Sequence, residues 1–132
     1  MRTQPCDAAI RRGRLRKAEQ FKEQADQIRD LADQDTDCAD SYVTLCVHAG
    51  IAASDVICCA ALGHHAHGEN HTEATALLSK ADREAARHLA ALLKMKTKAG
   101  YSHTSATIEE FKRAGRAAET LVEKARRAHA AT

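Results

Sequence analysis

Residues 39–62 read ADSYVTLCVHAGIAASDVICCAAL, and this stretch decides the fold. Wound as a helix, it presents apolar side chains on nearly every side. A chain in water tolerates such a helix only when other helices surround it. His48, Ser54 and Asp55 interrupt the apolar run. Polar groups inside an apolar helix must find interior partners or line a site. The sequence therefore predicts a central helix over 38–62, with its polar residues as the first place to look for function.

Working outward, 132 residues suffice for one core and are too few for two, so the chain reads as a single domain over 1–132. Abundant Ala, Leu, Arg, Lys, Glu and Asp, with only two Phe, two Tyr and no Trp, point to an all-α chain. A membrane helix needs roughly 18 uncharged residues. The central stretch comes nearest, but its polar residues favour a core helix, and no membrane association is expected. The opening MRTQPCDAAIRRGRLRK is basic without a following apolar run, unlike a secretory leader, so a cytoplasmic protein is expected. Cys46, Cys58 and Cys59 lie in the apolar helix, where buried thiols act as small hydrophobes. Adjacent Cys58 and Cys59 point to different sides and are poor partners for each other. Reduced, inert thiols are the expectation.

The flanking pattern predicts three more helices. Ala18, Phe21, Ala25, Ile28 and Ala32 repeat at alternating three and four, a seam on a helix over about 6–34. The Asp-rich run DLADQDTDCAD ends it, with Thr36 or Asp37 available to cap the central helix. After the polar loop GHHAHGEN, Asn70 and Glu73 have capping spacing and open a third helix over about 71–96. KTKAGYSHTSAT breaks that helix, and Thr107 with Glu110 opens the last one, about 106–130. Four long helices on short loops predict an antiparallel up-down four-helix bundle.

Charge is uneven: +1 over residues 1–36, −4 over 37–93 and +5 over 94–132. The basic C-terminal end makes Lys112, Arg113 and Arg116 candidates for contacting nucleic-acid phosphates. The turns do not suit a helix-turn-helix reader.

Three constellations could carry chemistry. Lys96, Lys98, Tyr101 and His103 join cations, a phenol and an imidazole at a helix-ending loop. Cations stabilise charge building on a phosphate, and an imidazole moves a proton. His48 and Asp55 share one face of the central helix, about 10 Å apart by helix rise, so each needs another partner. Asp55 wants a cation or backbone donor and could anchor the basic loop, with Ser54 beside it. His64, His65, His67, Glu69 and His71 raise the question of a metal, but their spacing fits no standard zinc pattern. No metal and no cofactor is expected.

The order of these features resembles the HEPN superfamily of small helical bundles. The likeness covers residues 38–128 and rests on three stretches. SYVTLCVHAGIAASDVICCAALG resembles the Ala-rich second helix of that family, with an aromatic near its start and a His one to two turns later. GENHTEATALLSKA resembles the break before its third helix, and LLKMKTKAGYSHTSATIEEFKRAGRAAETLVEKARR resembles its closing element. Family nucleases place an Arg four to six residues before a His; here Lys98 or Lys96 precedes His103. Lys lacks the bidentate fork of Arg. Arg83 and His88 repeat the spacing in mid-helix, where the family does not place its motif.

The resemblance implies a dimeric, HEPN-like nucleotide- or RNA-associated protein, as in toxin–antitoxin or defence systems, with weak or absent metal-independent RNase activity. In the catalytic version His103 is the acid/base, Lys98 or Lys96 neutralises phosphate, Tyr101 positions substrate, and Asp55, His48 and Ser54 support them. The alternative is a non-catalytic module that dimerises or binds a protein partner through its first and last helices.

Overall fold

The structure, a computed structural model, describes residues 2–132. It holds five helices and one small ribbon of two strands. Strand β1 (Thr3–Pro5) leads into helix α1 (Ala8–Leu31), and a 3-10 turn at Asp35–Asp37 leads into α2 (Ala39–Leu62). Strand β2 (His64–Ala66), α3 (His71–Ala81), α4 (Arg83–Tyr101) and α5 (Ile108–Ala130) follow.

Helix α2 is the centre, as its composition requires. It packs against α1, α4 and α5 and touches α3 and β2. Val43, Val47 and Val56 are fully enclosed with Leu77, Leu78, Leu89, Leu92 and Leu121 from its neighbours. By length and composition α2 could cross a membrane, and here the other helices cover it. At Gly50 three helices crowd together: a β-carbon there would run into Leu92 of α4 and crowd Leu121 of α5. The helix stops at Gly63, whose φ of 79° is the left-handed conformation that glycine adopts without steric cost.

The seam of α1 is spent internally, with Ala18 and Ala25 fully buried and Phe21, Ile28 and Ala32 packed on the core. The capping box of α5 is present: the Glu110 N–H donates to Thr107 Oγ1 at 3.1 Å, and the Thr107 N–H to Glu110 Oε1 at 2.9 Å. Asn70 caps α3 through the Glu73 N–H at 2.9 Å.

Five features differ from the sequence expectation. The helix expected over 71–96 is two helices, parted at Asp82. Its extended backbone (φ −161°) lets the carboxylate accept the Ala85 N–H at 3.0 Å, while Lys124 of α5 holds its other oxygen at 2.9 Å. An Asp that can cap a new helix competes with the helix it would otherwise sit in. Helix α4 then runs through Gly100 to Tyr101, so Lys96, Lys98 and Tyr101 stand on a helix end, not in a loop. Neither Thr36 nor Asp37 caps α2; the residue at that position is Cys38, without a side-chain cap, and Asp37 instead accepts the Gln34 N–H at 3.2 Å.

The remaining two differences lie together. The His-rich segment is part strand: β2 pairs antiparallel with β1 in the register Thr3↔Ala66, Gln4↔His65 and Pro5↔His64. Cys6 and Cys59 form a disulfide, 53 residues apart in sequence with Cα atoms 5.8 Å apart. Cys38, Cys46 and Cys58 are buried free thiols, and burial pushes Cys46 and Cys58 up to about 12. The inert-thiol reading thus holds for three cysteines and fails for two.

Candidate functional site: a histidine-lined cleft

The ribbon and disulfide bring one wall of a cleft to the side of α2. Asp55 sits on this helix with its side chain 14% exposed. Arg14 reaches it from α1, donating from Nε to Asp55 Oδ2 at 2.8 Å. From β2, His65 Nδ1 lies 3.6 Å from Asp55 Oδ1 and 2.8 Å from its neighbour's carbonyl, Ala66 O. When the ring is neutral, an Nδ1–H donated to that carbonyl leaves Nε2 as the proton acceptor. Burial pushes the Asp55 carboxyl above the ordinary range, and Arg14 and His65 hold it back. Asp55 therefore anchors the N-terminal helix and the ribbon, and the expectation that it anchors the loop after α4 is corrected.

Around this half-buried pair the cavity, about 320 Å³, is lined by Arg14, His48, Ser54, Asp55, His65, His67, Glu69, His71 and Lys96. His48 and Asp55 do share one face of α2, and both line this space. The His48 ring packs on Phe21 with centroids 5.5 Å apart. His48 and Lys96 also line a smaller adjoining cavity of about 160 Å³ with Thr44, Val47, Gly100 and Tyr101. Tyr101 is 80% exposed. A rim of imidazoles and an ammonium, backed by a guanidinium–carboxylate pair, can bind an anion and move protons on it. Among the described residues no three His, Cys, Asp or Glu side chains converge in the manner of metal ligands.

The other sequence candidates lie elsewhere. Lys98 Nζ donates to Glu110 Oε1 at 2.8 Å and so braces the start of α5. His103 is exposed in the α4–α5 segment and lines neither cavity. That segment is fastened by the Ala106 N–H donating to Asp40 Oδ1 at 2.7 Å. Lys112 and Arg116 line a separate groove against α1, and Arg113 stands exposed beside it. Of the residues proposed from sequence, the cleft gathers Lys96, His48, Ser54 and Asp55 and, through its annex, Tyr101. It leaves out Lys98 and His103.

Sequence reasoning missed Arg14 and gave His65 no role. The unmet need of Asp55 for a cation was the signal, but five basic residues between Arg11 and Lys17 could equally have answered it. No protein-family profile, curated protein or solved structure matches this chain.

Proposed function

We propose that the protein is a HEPN-like, RNA-associated bundle that binds a phosphodiester in the cleft beside α2 and cleaves it slowly without a metal. The convergence of His48, His65, His71 and Lys96 around the Arg14–Asp55 pair carries this reading. Metal-independent cleavage needs one group to take the 2′-hydroxyl proton, one to protonate the leaving 5′-oxygen, and a cation for the charge on the phosphorus oxygens. In this assignment His65 accepts the proton through Nε2 and His48 protonates the leaving group. Lys96 neutralises the phosphate, and Tyr101 offers a face on which a base can stack. His103 and Lys98, outside the cavity, are supporting residues at most.

The test is labelled total RNA incubated in chelator with wild type, His48→Ala, His65→Ala and His103→Ala. Cleavage lost in the first two variants and kept in the third is the expected result. Cleavage that depends on His103 alone, or no wild-type cleavage at all, overturns the assignment.

A second reading, a module that binds a protein partner or a second copy, draws on a different observation. A shallow groove of about 1060 Å³ along α3 and α4 is walled by Ala76, Ala86, Ala90 and Leu93, with Arg83 and Arg87 on its rim. It replaces the first and last helices as the support for that reading, since the apolar faces of both pack into the chain's own core. Sedimentation of wild type against Ala90→Glu tests it: one unchanged monomeric species in both removes the dimer version.

A further inference from the structure

A second basic concavity lies between α1 and α5. Its space, about 540 Å³, is lined by Lys22, Arg29, Lys112 and Arg116 against a single carboxylate, Glu119. The four cations are not equivalent. Lys22 is buried and bridges Asp26 at 2.6 Å and Glu119 at 3.2 Å, so its charge is spent within the protein. Arg29 is shared between Asp26 at 3.4 Å and Asp30 at 3.3 Å, with its guanidinium carbon 6.0 Å from the centre of the Tyr42 ring. Lys112 and Arg116 are exposed and take no carboxylate partner among the described residues. One turn apart on α5, their stems start about 6 Å from each other, so one anion can touch both.

The floor between them is prepared for close approach. Tyr42 stacks on Phe111 with ring centroids 4.1 Å apart, and both rings are buried. Gly115 stands between Lys112 and Arg116, and a β-carbon there would collide with the Tyr42 hydroxyl. The glycine thus leaves room for a phenolic hydroxyl at the base of a groove whose two free cations flank it. A hydroxyl donor between an ammonium and a guanidinium suits a tetrahedral oxyanion, which accepts several hydrogen bonds at once.

We infer that the α1–α5 groove holds a phosphate ester of the RNA backbone, gripped by Lys112 and Arg116 with Tyr42 beneath. This rests on the proposal that the cleft acts on RNA, and it adds a second anchoring point to it. Tyr42 and Asp55 are 13 residues apart on α2, about 20 Å by helix rise. Those 13 residues also turn the two side chains about 140° apart around α2, so about 20 Å is the shortest separation. A strand advancing ~3.4 Å per nucleotide needs at least about six nucleotides to join the sites. An RNA long enough to occupy both sites would be held at two places and cut at one.

The experiment is fluorescence anisotropy with a labelled single-stranded RNA of about twelve nucleotides, twice that span, in chelator and over a range of salt. Wild type, Lys112→Ala/Arg116→Ala and Arg113→Ala are compared, with inorganic phosphate and adenosine monophosphate as competitors. The expected result is about a tenfold or greater loss of affinity in the double variant. Its salt slope should fall by about one, while Arg113→Ala binds as wild type does. Equal losses from Arg113→Ala would assign the affinity to the basic helix surface at large and overturn the groove. So would an unchanged double variant or a wild type that binds no RNA. Displacement by adenosine monophosphate at concentrations comparable to its own nucleotide content would make the ligand a free nucleotide and overturn the backbone assignment. Binding that follows the expected pattern without any cleavage leaves the groove standing and removes the cleft's catalytic role, so the two readings fail separately. Because Lys112, Arg113 and Arg116 are all exposed, thermal melts of these variants should coincide, which separates lost binding from lost folding.

Discussion

The two ends of the molecule that carry histidine and lysine together are built in opposite ways. At the cleft, Asp55, Arg14 and His65 come from α2, α1 and β2, brought together over up to 51 residues of sequence and held by a ribbon and a disulfide. At the α4–α5 segment, Lys98 and His103 are near neighbours in sequence, and what the fold does with them is local: Lys98 braces a helix start and His103 faces water. Closeness in sequence produced a pattern that looked like a site. Convergence from distant elements produced a cavity. Chemistry needs groups held in fixed mutual positions, and long-range packing supplies that more readily than a six-residue stretch does.

The comparison breaks most readily at the cross-link. Closing a loop over 53 residues constrains the unfolded chain by about 4 kcal/mol, so Cys6→Ser should lower the unfolding free energy by that order, read as a fall in the urea midpoint, and should loosen the cleft before the α4–α5 end. Hydrogen exchange faster at His65 and Ala66 but unchanged at Lys98 and Ala99 checks the localisation; uniform loss would show that the two ends unfold together. Next in size, Arg14→Ala strips the cation from a mostly buried carboxylate and should cost about 2–3 kcal/mol by chemical denaturation. Thr107→Ala, which removes the cap of α5, should cost about 1 kcal/mol. Smallest of all, Lys98→Ala breaks a half-exposed ion pair and should cost less than about 1 kcal/mol. If Lys98→Ala proves as costly as Arg14→Ala, the contrast between the two ends is wrong.

Acidity sharpens the same contrast through opposite signs. The Lys98 ammonium and then the Thr107 N–H hold Glu110 below the ordinary carboxylate range. Its stabilisation is present above about pH 4.3 and is lost as the pH falls through the lower folded value, because the unfolded chain then binds the proton more readily. Asp55 is shifted the other way, chiefly by burial. The folded chain binds its proton more readily, so its contribution is largest at acid pH and declines as the pH rises from about 3.9 through the raised value. Urea midpoints of Glu110→Gln and Asp55→Asn, each relative to wild type between acid and neutral pH, should therefore run with opposite slopes.

How much of this was legible in the sequence follows the range of the interactions. The central helix was readable because apolar residues on all its sides admit one environment, and the cap at Thr107 because its partner is three residues away. His48 and Asp55 were placed on one face by helical period alone. Arg14 was not readable, since helical period leaves several arginines of α1 equally near. The ribbon was silent because two three-residue strands, 61 residues apart at their starts, have no period to detect. Pairing Cys6 with Cys59 was silent too, because five thiols offer many pairings and none is favoured by spacing. Asp82 was the near miss: the carboxylate that caps α4 was visible three residues before Ala85, but an unbroken apolar period outweighed it.

The Cys6–Cys59 bond also gives the chain the topology of a ring with a tail. Helices α1 and α2, with the acidic turn at Asp35–Asp37 between them, lie inside a closed covalent loop, whereas α3, α4 and α5 hang from it as a linear strand. A protease that cuts at the acidic turn would open the ring without releasing a fragment, and the nicked chain would migrate as one piece until its disulfide was reduced. The same single cut at the exposed segment after Tyr101 would set α5 free of any covalent tie, held to α1, α2 and α4 by packing and ion pairs alone. One bond thus divides the backbone into a half that survives a single cleavage and a half that does not.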